Sequence, residues 1–307
     1  MKHLGRLLSV VMVASLFLAA CAPAAAPAAE PTAAPTEVKP TPVVSLAADA
    51  VTLKGKLLIC SDLPYPPQEF FDEEGNPTGS DIEIGNEIAK RLGLEVQIVN
   101  SVFDTVIAAA TSGKCDIIIS AQNITADRQK QVSMIPYFQA GQSFVVAKGN
   151  PNNIKSALDV CGQAVAAESG TTEVDHLDGT GDYEESGGLA KQCKDAGKEA
   201  PKSVVTQKDS DALQQLQSNK VVAYFTDAPV AAYYTIQHPD QFELAGEPLD
   251  PIAEGISVPC GAEDCTNAPL SPLGEAVKAA LKSMMDDGTY GKILEKWNLS
   301  SAAIEMK

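Results

Sequence analysis

One stretch, residues 115–138, limits the possible folds of this chain more than any other. It reads Cys-Asp-Ile-Ile-Ile-Ser-Ala-Gln-Asn-Ile-Thr-Ala-Asp-Arg-Gln-Lys-Gln-Val-Ser-Met-Ile-Pro-Tyr-Phe. Ile117, Ile118 and Ile119 make an apolar run too short for a helix, with Gly113 before it and small polar residues after it. Such a run reads as a buried parallel strand. Ser120, Ala121, Gln122 and Asn123 follow, then Thr125, whose hydroxyl suits the cap of a short helix starting near Ala126. Arg128 falls in the first turn of that helix, where a cation gains nothing from the helix dipole. Beside backbone N–H groups at a strand's carboxyl end, a guanidinium suits two-pronged capture of a carboxylate. A surface arginine paired with Asp127 or Asp116 is the plainer alternative, and spacing alone leaves both open.

Further signals come in a fixed order. Residues 57–60 form a first strand, leading into Ser-Asp-Leu-Pro-Tyr-Pro-Pro-Gln-Glu-Phe at 61–70. Gly75, Asn76 and Pro77 read as a turn, and Gly79-Ser-Asp-Ile-Glu-Ile opens a helix with a Ser80/Glu83 capping box. Ile84, Ile88 and Leu92 lie on one face of that helix, and Gly93 stops it. Residues 94–99 are the next strand; Phe103 stands at the start of an amphipathic helix carrying Val106, Ile107 and Ala110. Later come a strand at 143–148, Gly-Thr-Thr at 170–172, a polar Gly-rich connection over 173–207, and Thr-Asp-Ala-Pro at 226–229. There Asp227 would cap a helix with Pro229 in its first turn. Residues 255–258 return as a strand, and Leu273, Val277, Leu281 and Met284 mark a long amphipathic helix before Asp-Gly-Thr and Trp297.

In this order the motifs resemble those of the bacterial extracellular solute-binding proteins, family 3, over residues of about 55 to 298. That family's version of the opening stretch runs roughly Val-Asp-Leu-Ile-Ile-Ala-Gly-Met-Thr-Ile-Thr-Pro-Glu-Arg-Lys-Lys-Gln-Val; Asp116, Ile124, Thr125, Arg128, Lys130, Gln131 and Val132 are retained here. The resemblance implies an α/β chain of two lobes, the type II periplasmic-binding-protein-like fold, with a ligand cleft between them. It puts residues 51–141 and 249–307 in the first lobe and 142–248 in the second. It implies capture of an extracellular amino acid for an ABC permease and ATPase, by a monomer, with no cofactor and no catalysis. An amino-acid receptor without transport, and a lyase of the cyclohexadienyl dehydratase type on the same fold, are the alternatives.

Carried over residue by residue, the ligand set is Asp62, Tyr65, Phe103, Ala121, Asn123, Arg128, Glu168, Thr172 and Asp227. Tyr65 and Phe103 would be aromatic walls, Arg128 the carboxylate's partner with Thr172, and Asp227 that of the α-ammonium. Asp62 and Glu168 facing the cleft, with Gln68 and Ser80 making its edge polar, favour a basic or polar side chain.

The amino terminus reads as a processing signal. Lys2 and Arg6 precede an apolar run over 7–20, too short to cross a bilayer comfortably, and residues 18–21, Leu-Ala-Ala-Cys, resemble a bacterial lipobox. Residues 1–21 are thus expected to direct export, Cys21 to carry lipid, and residues 22–50, rich in Ala, Pro and Thr, to tether the protein outside the membrane. A net charge of −17 argues against nucleic-acid binding, which needs a basic footprint. No Cys-x-x-Cys spacing occurs, and His3, His176 and His238 are scattered, so no metal site is expected. Export permits disulfides. The resemblance implies Cys161–Cys193, the short separation suggests Cys260–Cys265, and Cys60 and Cys115 are expected to be unpaired and buried.

Overall fold

The computed structural model describes residues 44, 46, 47, 49–249 and 251–306. The expected signal, the lipidation at Cys21 and most of the expected tether lie outside the described residues. The first part of the chain runs β1 (Lys56–Ser61), the short hairpin β2 (Phe70–Phe71) and β3 (Pro77–Thr78), α1 (Ser80–Leu92), β4 (Glu95–Asn100), α2 (Val106–Thr111), β5 (Ile117–Ile118), α3 (Ala126–Gln131) and β6 (Ser133–Ala140). It continues with β7 (Gln142–Ala147), β8 (Ala164–Glu168), α4 (Thr172–Asp178), α5 (Gly188–Asp195), β9 (Lys202–Thr206), α6 (Asp209–Gln217), β10 (Ala223–Asp227), α7 (Ala228–Gln237) and β11 (Phe242–Ala245). β12 (Ile252–Val258), α8 (Pro272–Asp286) and α9 (Thr289–Lys296) complete it.

Two five-stranded sheets result, in the orders β4-β1-β5-β12-β6 and β11-β7-β10-β8-β9. In the first, β1 runs parallel to both neighbours and β12 antiparallel to both of its own. Burial follows from position. β1, Lys-Leu-Leu-Ile-Cys-Ser, is covered on both faces and buried from Leu57 on. Edge strand β4, Glu-Val-Gln-Ile-Val-Asn, alternates between exposed and half-buried over most of its length. The core of this sheet joins Leu57, Ile59, Ile117 and Ile119 to Ile84, Ile88 and Leu92 of α1 and to Val277, Leu281 and Met284 of α8. In the second sheet Phe144 and Phe225 stack with centroids 4.3 Å apart, at the centre of the core that Leu177 and Leu189 close.

The chain passes from one sheet to the other at Gly141 and returns after β11. The two connections touch: Leu249 N–H donates to Gln142 O at 2.8 Å, and a Cβ on Gly141 would lie 2.2 Å from Leu249 O. Only glycine allows that approach.

Several sequence expectations change here. The capping box at Ser80 does not form. Gly79 stands at the helix start with no side-chain cap, and the first N–H groups, of Ser80 and Asp81, donate instead to Pro67 O (3.1 Å) and Gln68 O (2.9 Å). A Cβ at Gly79 would lie 2.2 Å from Gln68 O, so the loop carbonyls replace the side-chain cap. Residues 173–207 are not a plain connection: they hold most of α4, all of α5 and the edge strand β9. Their polarity reflects exposed faces rather than missing structure.

The expected free thiols at Cys60 and Cys115 are overturned: the two are bridged, with Cα atoms 5.7 Å apart. Cys60 lies opposite Ile118 across the β1–β5 ladder. The Asp116 carboxylate, accepting from Leu58 N–H at 2.8 Å, folds the residues before β5 back onto β1. That register brings Cys115 within bonding range, which spacing along the sequence did not reveal. Cys161 bonds Cys193 and Cys260 bonds Cys265, with Cα separations of 5.6 and 5.8 Å.

Candidate ligand-binding cleft

The strands of both sheets end at a common cleft, and the loops at those ends carry its walls. On the first-lobe side, Asp62 follows β1. Its backbone N–H donates to Ser120 Oγ at 2.9 Å, and one carboxylate oxygen accepts from Phe103 N–H at 2.6 Å. This fixes the Phe103 ring beside the pocket. Ala121 adopts left-handed backbone (φ 43°), its N–H donating to Asp81 Oδ2 at 3.0 Å. A non-glycine residue held there costs roughly 1–3 kcal/mol, a strain characteristic of binding loops.

Thr125 caps α3, accepting from Arg128 N–H at 3.2 Å. The cap aims the Arg128 side chain into the cleft. Its Nη1 donates to Asn123 O at 2.8 Å, its Nη2 to Gly170 O of the second lobe at 3.0 Å, and its guanidinium stands 5.2 Å from the Phe103 centroid. Neither surface partner weighed from the sequence is used: Asp127 pairs with Lys130 at 2.6 Å, and Asp116 accepts from backbone N–H groups. Arg128 is 9% exposed, and burial, against the pull of Glu173, draws its pKa below the ordinary value.

The second-lobe wall is formed by Glu168 at the end of β8, Thr171 and Glu173 at the start of α4, and Asp227 at the end of β10. Thr172 is buried and acts as a bridge. Its hydroxyl donates to Asn123 Oδ1 at 2.6 Å across the cleft and accepts from Gln142 Nε2 at 3.0 Å. Asp227 precedes α7 without capping it, contrary to the sequence expectation, because Oδ2 accepts from Tyr65 OH of the first lobe at 2.8 Å. Pro229 stands in the first turn of that helix. Lys208, just before α6, reaches across the cleft to ion-pair with Asp62.

Gln68 and Ser80 do not line a polar edge. Both are fully buried behind the first wall, where Gln68 Nε2 donates to Glu254 Oε2 at 2.6 Å.

The pocket is acidic out of proportion to its cations. Asp62, Tyr65, Glu69, Phe103, Asn123, Glu168, Glu173 and Asp227 are among the residues that line the cleft, whose walls stand so close together that only about 10 Å³ is left free between them. Glu69 Oε2, Glu168 Oε1, Glu173 Oε1, Asp227 Oδ1 and Asn123 Nδ2 are buried there without a protein partner. Burial, with Asp209 and Asp62 close by, pushes the Glu168 carboxyl up to about 10. Burial and then Glu173 raise Asp227 well above the carboxylate range, and burial raises Glu173. A cation at the same place would favour the ionised form of these carboxyl groups.

The structure brings eight of the nine residues carried over from the motifs to this cleft as pocket lining or wall contacts, and turns the ninth, Thr172, to the bridge beneath it. Glu173, Lys208, Glu69 and Thr171 were missed. For Glu173 a signal existed, a lone charge after the small residues Gly170-Thr171-Thr172. Lys208, within Gln-Lys-Asp, had none.

The model of the bacterial extracellular solute-binding proteins, family 3, matches residues 57–300. The L-cystine-binding protein TcyJ of Escherichia coli is 28% identical, over 80% of this chain and 83% of its own. An arginine-binding periplasmic protein of Mannheimia haemolytica is 28% identical, over 85% of this chain and 98% of its own. Among solved structures, an ancestral arginine-binding protein bound to arginine superposes with a TM-score of 0.68 at 37% identity, covering 80% of this chain and 98% of that one.

Proposed function

The chain belongs to the bacterial extracellular solute-binding proteins, family 3, and on that premise we propose that it captures a cationic amino acid, arginine foremost, for an ABC importer. One observation carries the choice of ligand. Four carboxyl groups with unpartnered buried oxygens line the pocket, against the single guanidinium of Arg128 and a lysine already paired with Asp62. Buried carboxyl groups are costly unless they meet a cation or hold a proton. An amino acid with a cationic side chain supplies an ammonium and a second positive group, and its one carboxylate suits the donors Arg128 still has free. Asp227 Oδ1 is the partner proposed for the α-ammonium. Tyr65 and Phe103 flank the aliphatic stem, and Glu168, with Asp62 close by, receives the distal cation. The Mannheimia haemolytica relative and the ancestral protein are both arginine binders, which supports the same choice.

The ligand bridges walls from two lobes, so its contacts are complete only when the lobes are together. It therefore favours the closed state by its differential affinity for it, the signal an importer reads. Binding proceeds without turnover. The chain works as a monomer outside the cytoplasmic membrane, held by lipid on Cys21; the lipobox-like residues 18–21 support the anchor, and loss of palmitate labelling in Cys21→Ser tests it.

Calorimetry against the twenty amino acids tests the central reading. Arginine or lysine should bind tightest. Tighter binding of glutamate or aspartate than of either would overturn it, as would steady consumption of prephenate or arogenate.

A further inference from the structure

One cation of the cleft belongs to the protein itself. Lys208 lies between β9 and α6 in extended backbone (φ −130°, ψ 147°), so its side chain leaves the second lobe toward the first. Its ammonium ion-pairs with Asp62 and lies 3.3 Å from Leu63 O and 3.4 Å from Ser101 O. An ammonium has three donors, and these three oxygens match them. All three acceptors follow the carboxyl ends of β1 and β4, the edge at which open α/β sheets take ligands. The side chains of Lys208 and Asp62 are 26% and 5% exposed, so solvent screens the pair only in part.

A carboxylate with two carbonyls, beside Phe103, is also what a ligand's ammonium or guanidinium requires. Asp62 cannot serve both cations fully. Its other oxygen is taken by Phe103 N–H at 2.6 Å, which leaves one acceptor edge toward the cleft. Lys208 belongs to none of the motifs that mark the other ligand contacts, and only the fold carries it to Asp62.

Resting on the reading of the pocket as a cationic amino-acid site, we infer that Lys208 is a specificity-determining residue. It occupies a seat for the ligand's distal cation, latches the two lobes through Asp62, and competes with an arginine or lysine side chain for that carboxylate. A cationic ligand gains Asp62 only by displacing Lys208. A neutral side chain, such as that of glutamine, leaves the pair intact. The lysine thereby narrows the preference for cationic over neutral ligands below what the acidic walls alone would set. It also gives the closed arrangement a contact that needs no ligand.

The test uses the full chain with Lys208→Gln, which removes the charge and is one atom shorter, and Lys208→Arg, which keeps the charge. Small-angle scattering without ligand measures the latch; calorimetry with arginine and with glutamine measures the competition. Lys208→Gln should be less compact than the parent without ligand. Its ratio of arginine to glutamine affinity should rise about tenfold, while Lys208→Arg stays near the parent in both. A Lys208→Gln protein as compact as the parent overturns the inference, as does an affinity ratio that is unchanged or lower. A parent that binds neither arginine nor lysine overturns the functional reading instead, and the scattering comparison then decides the latch alone.

Discussion

Two arginines, Arg91 and Arg128, are buried to nearly the same degree, 7% and 9% exposed, yet their surroundings differ in kind. Arg91 closes a seam between α1, α8 and α9. Its Nε donates to Glu87 at 2.9 Å and its Nη2 to Asp287 at 2.8 Å and Thr289 at 3.2 Å, while Nη1 reaches Ser283. Its charge is matched by carboxylates of the protein, and most of its donors are used. Arg128 receives two carbonyls and an aromatic face, with no carboxylate in direct contact among the described residues, although Glu173 and Asp227 stand near enough to act on its charge. A guanidinium in a stabilising role is saturated by the fold. One kept for a ligand is positioned by backbone groups that fix its direction and leave donors over.

The comparison breaks most sharply at Arg128. Arg128→Ala should weaken amino-acid binding by on the order of 2–5 kcal/mol, because the ligand carboxylate loses a charge-assisted partner in a buried place. Calorimetry reads this directly, and binding as tight as the parent's would show that Arg128 is no more than packing. Arg91→Ala should do the reverse. Its melting temperature without ligand should fall by on the order of 5 °C, since three elements lose a shared tie, while affinity stays within about threefold. A tighter or much weaker complex in that variant would show that the seam is coupled to the cleft.

A smaller effect separates the acidic cleft from the rest of the fold. Asp81 is raised to about 6, Asp209 to about 7 and Glu168 to about 10, in each case chiefly by burial. A carboxyl group whose pKa is raised in the folded state stabilises fully below its unfolded value and loses that contribution as pH rises through the folded one. His176, lowered to about 4 by burial, opposes this between about pH 6.5 and 4, but it is one group against three. Without ligand, the protein should therefore melt higher at about pH 5.5 than at about pH 8.5. Saturating arginine should narrow the gap, since its cations favour the ionised carboxylates. A melting temperature that rises with pH without ligand would contradict the protonated cleft.

Whatever depends on local pattern and on the order of motifs was legible in the amino-acid sequence. The Ile117–Ile118 strand, the Thr125 cap and the turn toward Arg128 are set by neighbours within a few residues. So are the α1 face at Ile84, Ile88 and Leu92 and its stop at Gly93. Which distant groups meet was settled only by tertiary packing. It paired Cys60 with Cys115 through strand register, satisfied the start of α1 with loop carbonyls instead of Ser80, and drew Asp227 away from its helix to Tyr65. It turned Thr172 to Asn123 and brought Lys208 to Asp62 across 146 residues of chain. The physical reason is range. Capping and periodicity act over one or two helical turns and leave a trace in sequence, whereas a cross-lobe contact depends on where two sheets place their loop ends, which no local pattern encodes.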